Sequence, residues 1–176
     1  MFDPKDSKTI GYHVFFLPSG ELFNSLQNVI NMLAQKYHGA KFEPHVTLLA
    51  RIPKDNETEL VKKSKNLANI MKPFKIKLKD IFAEDAYFRA LYIKAEYNLA
   101  LEEYHQKSLE LFGVKDVNTY IPHLSLYYGN TSQFTKNEMI KSLLLPSDMN
   151  FLVDRIYLYR TEGGAENWVQ IGSYLF

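Results

Sequence analysis

One repeat constrains this chain more than any other feature. Pro44-His45-Val46-Thr47-Leu48 returns as Pro122-His123-Leu124-Ser125-Leu126, which sets the two histidines 78 residues apart. Each copy follows a helical pattern and opens a run of strand character. The chain therefore reads as two related halves, each supplying the same five-residue strand. Side chains alternate faces along a strand, so His45 and Thr47 share one face while Val46 and Leu48 take the other. His123 and Ser125 are backed by Leu124 and Leu126 in the same way. Each strand offers an apolar back to a core and a front bearing one imidazole and one hydroxyl. A pseudo-two-fold between the halves would set the two fronts facing each other across a groove.

The remaining elements alternate from end to end. Residues 11–18 read as a strand stopped at Pro18, and Leu22, Leu26, Val29, Ile30, Leu33 and Tyr37 repeat at helical spacing up to Gly39. Residues 42–53 read as a strand, 60–71 as a helix ending at Pro73, and 74–82 and 88–95 as strands. A third helix covers 101–112 and closes at Gly113, and 121–129 is the second motif strand. Thr135 and Glu138 form a capping box ahead of Met139. Strands at 151–160 and 167–175 follow, joined at Glu162-Gly163-Gly164. The class is α+β, a mainly antiparallel sheet with helices on its outer side. At 176 residues and 46% apolar content, the chain 1–176 is expected to be one domain or two small lobes sharing a core.

Composition narrows the chemistry. The absence of cysteine excludes disulfides, thiolate zinc, iron–sulfur clusters and a thiol nucleophile. A net charge of +1 argues against charge-driven binding of long nucleic acid. No apolar run approaches the roughly 20 residues of a membrane span, and the first residues lack the layout of a signal peptide. A cytoplasmic protein without membrane contact is the expectation.

Two imidazoles and two hydroxyls suit displacement at phosphorus. With pKa values near 6.5, one imidazole can be neutral and take a proton from water while the other is protonated and gives one to the leaving alkoxide. The hydroxyls can donate to the non-bridging oxygens. This chemistry needs no metal or cofactor. A single His-x-Ser/Thr would read as a packed strand histidine; the repeat is what points to catalysis. Lys72, Lys75, Lys77 and Lys79 interleave with Phe74, Ile76 and Leu78, and read as a solvated face over an apolar one, with an RNA-tracking face as the alternative. Lys62-Lys63-Ser64-Lys65 is the wet side of a helix. His13, His38 and His105 lack a hydroxyl two residues on and receive no role, although His13 shares the face of Phe15. Glu162-Gly163-Gly164 lacks phosphate-loop spacing and reads as a hairpin turn. Tyr157, Tyr159 and Arg160 read as core and rim, with contact between one of them and substrate as the alternative.

At the duplicated motif the chain resembles the 2H (two-histidine) phosphoesterase superfamily, defined by paired His-x-Ser/Thr motifs. Within it, Phe42-Glu43-Pro44-His45-Val46-Thr47 and Pro122-His123-Leu124-Ser125-Leu126 are most similar to the cyclic phosphodiesterase branch of plants and yeast. The likeness extends to Leu17-Pro18 after the first strand and to Thr161 and Trp168 near the end; in residues 52–120 only the order of elements matches. The resemblance implies a bilobal, pseudo-two-fold α+β fold whose antiparallel sheets line a central water-filled cleft. It implies metal-independent opening of ribose cyclic phosphates: nucleoside 2′,3′-cyclic phosphates to 2′-phosphates, and ADP-ribose 1″,2″-cyclic phosphate to the 1″-phosphate. His45 and His123 would be the acid–base pair, and Thr47 and Ser125 would hold the phosphate. Phe15 and Tyr128 would line the cleft. Phe15 stands where the plant enzymes carry tryptophan, and strict strand alternation favours Tyr127 over Tyr128. The expected partner is a small cyclic-phosphate nucleotide bound to a monomer. The rivals are an enzyme acting on RNA ends or 2′-5′ linkages, a non-hydrolysing nucleotide binder, and a metallohydrolase ligating metal through His45 and His123.

Overall fold

The two repeat strands lie side by side, and the other elements are arranged around that pair. The computed structural model describes residues 7–115 and 119–176. Its strands are β1 (Tyr12–Phe16), β2 (Val46–Ile52), β3 (Phe74–Phe82), β4 (Leu91–Ala95), β5 (His123–Tyr127), β6 (Asn150–Val153), β7 (Arg155–Arg160) and β8 (Val169–Leu175). They form one antiparallel sheet in the order β6-β3-β4-β5-β2-β1-β7-β8. Its centre is the β2–β5 pairing at Val46↔Leu124. The two fronts are thus neighbours on one surface rather than opposed across a gap, because the halves share a continuous sheet.

That sheet has to curl. β6 is an edge strand and β7 lies six positions away, yet only Asp154 separates them in the chain. The run 151–160, which reads as one strand, is therefore two strands serving opposite ends of the sheet. Phe176 N–H donates to Asp154 O at 2.9 Å, tying the chain end to this corner.

Helices α1 (Gly20–Tyr37), α2 (Glu57–Ile70) and α3 (Leu99–Phe112) cover the outer face, against β5, against β7 and β8, and against β2 respectively. The stripe Leu26, Val29, Ile30, Leu33 and Ala34 buries one side of α1, as its spacing predicts. Helix α4 (Gln133–Ser142) is capped by Ser132, whose Oγ accepts from Thr135 N–H at 3.1 Å. The cap expected at Thr135 thus sits three residues earlier, and Thr135 falls in the first turn. Val46, Leu48, Leu124 and Leu126 are fully buried in the core beneath these helices, so the other face of β2 and β5 is left for the site. Among the described residues no helix is long and apolar enough to cross a membrane.

Candidate active site

Both histidines are held by the same local device. His45 Nδ1 lies 2.6 Å from Glu43 O and His123 Nδ1 lies 2.7 Å from Ile121 O, in each case the carbonyl two residues back. The residue between is proline in both copies. Proline fixes its own φ near −65° and keeps the preceding residue extended. The carbonyl before it is thereby held beside the imidazole that follows. A carbonyl only accepts, so Nδ1 carries the proton and the lone pair of each neutral ring lies on Nε2.

The sheet register brings the four motif side chains together. One residue either side of Val46↔Leu124, His45 stands opposite Ser125 and Thr47 opposite His123. Opposed residues of an antiparallel pair project to the same side. Ser125 Oγ donates to Phe88 O at 2.9 Å, so its hydroxyl must turn before it can donate to a phosphate oxygen. Thr47 is half-buried. Its carbonyl accepts from Tyr120 Oη at 3.0 Å, and Leu48 O lies 2.7 Å from His105 Nδ1. His105 and Tyr120 stack at 3.8 Å, so this pair braces β2 where its ladder to β5 has ended. His105 is a structural histidine.

Tyr128 joins the site, against the alternation argument. Its Oη lies 3.4 Å from His45 Nε2, and its ring stacks on Phe42 at 3.7 Å. Tyr127 turns away and donates to Tyr37 O at 2.9 Å, inside the core. The cause is a bulge. Leu91 pairs with Tyr127 but Tyr92 with Ser125, so β5 carries one extra residue opposite β4 and the alternation reverses after Ser125. Phe15 is 2% exposed and stacks on His45 with ring centroids 4.0 Å apart. It supports the imidazole from behind and contributes to a cavity wall.

That cavity, about 320 Å³, opens beside His45. Its apolar walls include Phe15, Phe42, Tyr159 and Trp168, and its polar rim Lys41, Glu43 and Glu166. The volume is at the small end of the roughly 300–1,000 Å³ usual for small-molecule sites. Tyr159 Oη donates to Glu43 Oε2 at 2.5 Å. Trp168 follows the glycine-containing turn, which continues into a short 3-10 turn at Ala165–Asn167. Trp168 is pinned there by Nε1–H donating to Thr9 Oγ1 at 3.0 Å. His13 stacks on Trp168 at 6.1 Å, with its Nδ1 2.5 Å from Thr161 Oγ1. The sequence alone assigns His13 no role; its spacing of two from Phe15 is the signal that places it on this face.

The two histidines have different charged neighbours. Burial, assisted by the nearby His123, brings His45 down to about 4 against the raising effect of the Glu43 carbonyl. Burial also lowers His123, and there Arg89 pushes down while Glu84 pushes up. Burial brings His13 down to about 3, with His45 and Arg51 adding to the effect. Burial works to raise Glu84, but the hydrogen bond from Tyr92 and the Arg89 guanidinium outweigh it and hold the carboxyl low. Tyr92 is pushed up to about 12 by burial and by Glu84, and its ring meets His123 edge-on at 5.0 Å. Among the described residues no three His, Asp or Glu side chains gather as metal ligands would.

Residues 10–174 match the family model described as cyclic phosphodiesterase-like protein. The chain belongs to that family. The phosphodiesterase is 24% identical over 157 residues to a cyclic phosphodiesterase of Arabidopsis thaliana, covering 86% of this chain and 85% of the relative. Among solved structures it is similar to Escherichia coli LigT in apo form, with a TM-score of 0.64 at 13% identity over 96% of this chain and 98% of that one. The LigT complex with 3′-AMP gives a TM-score of 0.65 at 12% identity over 95% and 98%. With the paired His-x-Ser/Thr strands, these place the phosphodiesterase in the 2H phosphoesterase superfamily.

Proposed function

We propose that this phosphodiesterase opens ribose cyclic phosphates without a metal, using His45 and His123 as acid and base. The observation that carries the reading is the repeated Nδ1-to-carbonyl bond, which puts the lone pair on Nε2 in both histidines, on one face of paired strands. His45, held neutral by burial, takes a proton from water at Nε2. The water oxygen bonds phosphorus as the ribose oxygen–phosphorus bond breaks, and His123 Nε2–H gives its proton to the departing alkoxide. The Ile121 carbonyl and Glu84 work toward the protonated form needed at His123, against burial and Arg89, and a bound anionic phosphate adds to their side. Thr47 and Ser125 hold the non-bridging oxygens, and Phe15 and Tyr128 support His45. The cavity beside His45 has room for one nucleoside, and its aromatic walls suit a base. LigT, which shares the fold, has been crystallised with 3′-AMP, phosphate, ATP and NADP+. On these grounds the substrate is a nucleoside 2′,3′-cyclic phosphate yielding the 2′-phosphate, with ADP-ribose 1″,2″-cyclic phosphate as a second substrate. The acting species is a cytoplasmic monomer.

The test is turnover of four 2′,3′-cyclic nucleotides, with product regiochemistry read by phosphorus NMR. His45→Ala and His123→Ala should each lose about 10²–10⁴-fold in kcat, and dialysis against EDTA should change nothing. Because both pKa values lie below 6.5, the kcat/KM profile should be a bell lying on the acid side of 6.5, its two limbs belonging to the interacting pair. A bound anionic phosphate favours protonated imidazole, so the kcat profile should lie to the alkaline side. Wild-type turnover in either alanine variant, or loss with EDTA, would sink the mechanism. Tight nucleotide binding without turnover would identify a binding module.

A further inference from the structure

The cavity beside His45 accounts for one side of the catalytic pair, and the face beside His123 is built differently. β4 pairs with β5 at Tyr92↔Ser125, Ile93↔Leu124 and Lys94↔His123. Lys94 therefore projects from the same face as His123, one strand away, and is exposed. In β3, Ile76 and Leu78 are core residues, so Lys75, Lys77 and Lys79 project from the opposite face, the one that Lys94 and His123 share. Lys77 and Lys79 both reach Glu96, at 3.3 and 3.7 Å, just beyond the end of β4. Adjacent strands are about 4.8 Å apart, so the lysines stand about 5 and 10 Å from the His123 strand. The lysines that the sequence reads as a solvated face are thus continuous with the catalytic one.

Aromatic rings run alongside them. Phe82 pairs with Tyr92 across β3 and β4, stacks on it with centroids 5.7 Å apart, and remains 42% exposed. Tyr92 in turn meets His123. A path of rings therefore leads from the catalytic histidine to an exposed aromatic face, flanked by cations. The carboxylates on or beside this path are Glu96, Asp80 and Glu84. Glu96 pairs with lysines that are more than half exposed, which are weak surface contacts that a phosphate can displace. Glu84 is engaged by Arg89 and Tyr92. The cavity on the His45 side has the opposite character, with Glu43 and Glu166 against the single Lys41 on its rim.

We infer that the β3–β4 face receives the upstream nucleotides of a single-stranded RNA whose 3′ end carries the cyclic phosphate. Exposed rings take unpaired bases and lysines take the phosphates between them, the combination by which proteins hold single strands. The terminal nucleoside occupies the cavity beside His45, and the chain leaves over His123, Lys94 and β3. This deepens the proposed function and rests on it for the reacting end. It also limits the reach of the net-charge argument: +1 overall conceals a local basic track.

The experiment compares kcat/KM for a trinucleotide ending in a 2′,3′-cyclic phosphate with that for the matching cyclic mononucleotide. The wild type should favour the trinucleotide about tenfold or more at low salt. The advantage should shrink as salt rises, with a log–log slope of about −0.7 per phosphate contacted. In the Lys77→Ala/Lys79→Ala/Lys94→Ala variant, and separately in Phe82→Ala, the ratio should fall toward one. A wild-type ratio near one, or a ratio untouched by the lysine changes, overturns the inference. So does a lysine-dependent preference for ADP-ribose cyclic phosphate over the trinucleotide, which would assign the face to a pyrophosphate. A labelled trinucleotide with a plain 3′-phosphate, followed by fluorescence anisotropy, separates the two readings. Lysine-dependent binding without turnover of any cyclic phosphate would remove the mechanism and keep the surface. Mononucleotide turnover with no lysine-dependent binding would do the reverse.

Discussion

At the scale of single residues, the proline ahead of each histidine does as much as the histidine. It turns a main-chain carbonyl back onto Nδ1 at 2.6 and 2.7 Å and so presets the tautomer with its lone pair on Nε2. The adjacent tyrosines separate position from chemistry. Tyr128→Phe removes the hydroxyl 3.4 Å from His45 Nε2 and should lower kcat/KM about tenfold, the kinetic equal of ~1.4 kcal/mol. Tyr127→Phe removes the donor to Tyr37 O and should cost about 1 kcal/mol in urea unfolding with turnover retained. If the two variants exchanged these phenotypes, the bulge would be in the wrong place.

At the scale of elements, interruptions of regular strands decide what reaches the site. The β5 bulge turns Tyr128 in and Tyr127 out. β2 shifts register against β1 twice, between Tyr12 and Val14 and between Val14 and Phe15, and Arg51 there takes φ 58°. Such a backbone is uncommon outside glycine and is found where a strand must bend. The end of β5 is also closely fitted to the loop after α1. A Cβ on Gly39 would come within 2.3 Å of Tyr127 Cε2 and 2.7 Å of Tyr128 O. Gly39→Ala should therefore destabilise the fold by about 1–3 kcal/mol, read as a lower urea midpoint, and reduce turnover through displaced Tyr128. An alanine variant with wild-type midpoint and rate would contradict this packing.

At the scale of the molecule, the buried His13 and His45 and the partly buried His123 make stability depend on pH. His13 and His45 are lowered to about 3 and about 4, and His123 is lowered as well, all chiefly by burial. A depressed folded-state pKa means that the unfolded chain binds protons first as pH falls. The stability these rings contribute is therefore complete above about 6.5 and declines toward the folded values. Between pH 7.5 and 5 the loss should be about 2 kcal/mol for each of His13 and His45, with His123 adding in the same direction, followed as urea midpoints across that range. His13→Phe should flatten the curve measurably. A midpoint independent of pH over this interval would show the rings to be solvated.

Much of this was legible in the linear chain. The paired motif, the α+β class and the faces of the motif strands follow from type and spacing, because side-chain alternation and helical periodicity are local properties. The strand 74–82 and the helix end at Gly113 were likewise readable from apolar period and chain breakers, whereas α1 stops ahead of Gly39, with His38 rather than the glycine taking the left-handed turn. Other features were not local. Only the tertiary structure set the motif strands beside each other at Val46↔Leu124, split 151–160 between two ends of a curled sheet, and brought Trp168 against His13. It also decided between Tyr127 and Tyr128, since a bulge exists only relative to the partner strand. The same holds for the lysines of β3. Their alternation with apolar residues was visible, but not that their face continues the one bearing His123, because only pairing across β4 determines which sides of separate strands coincide.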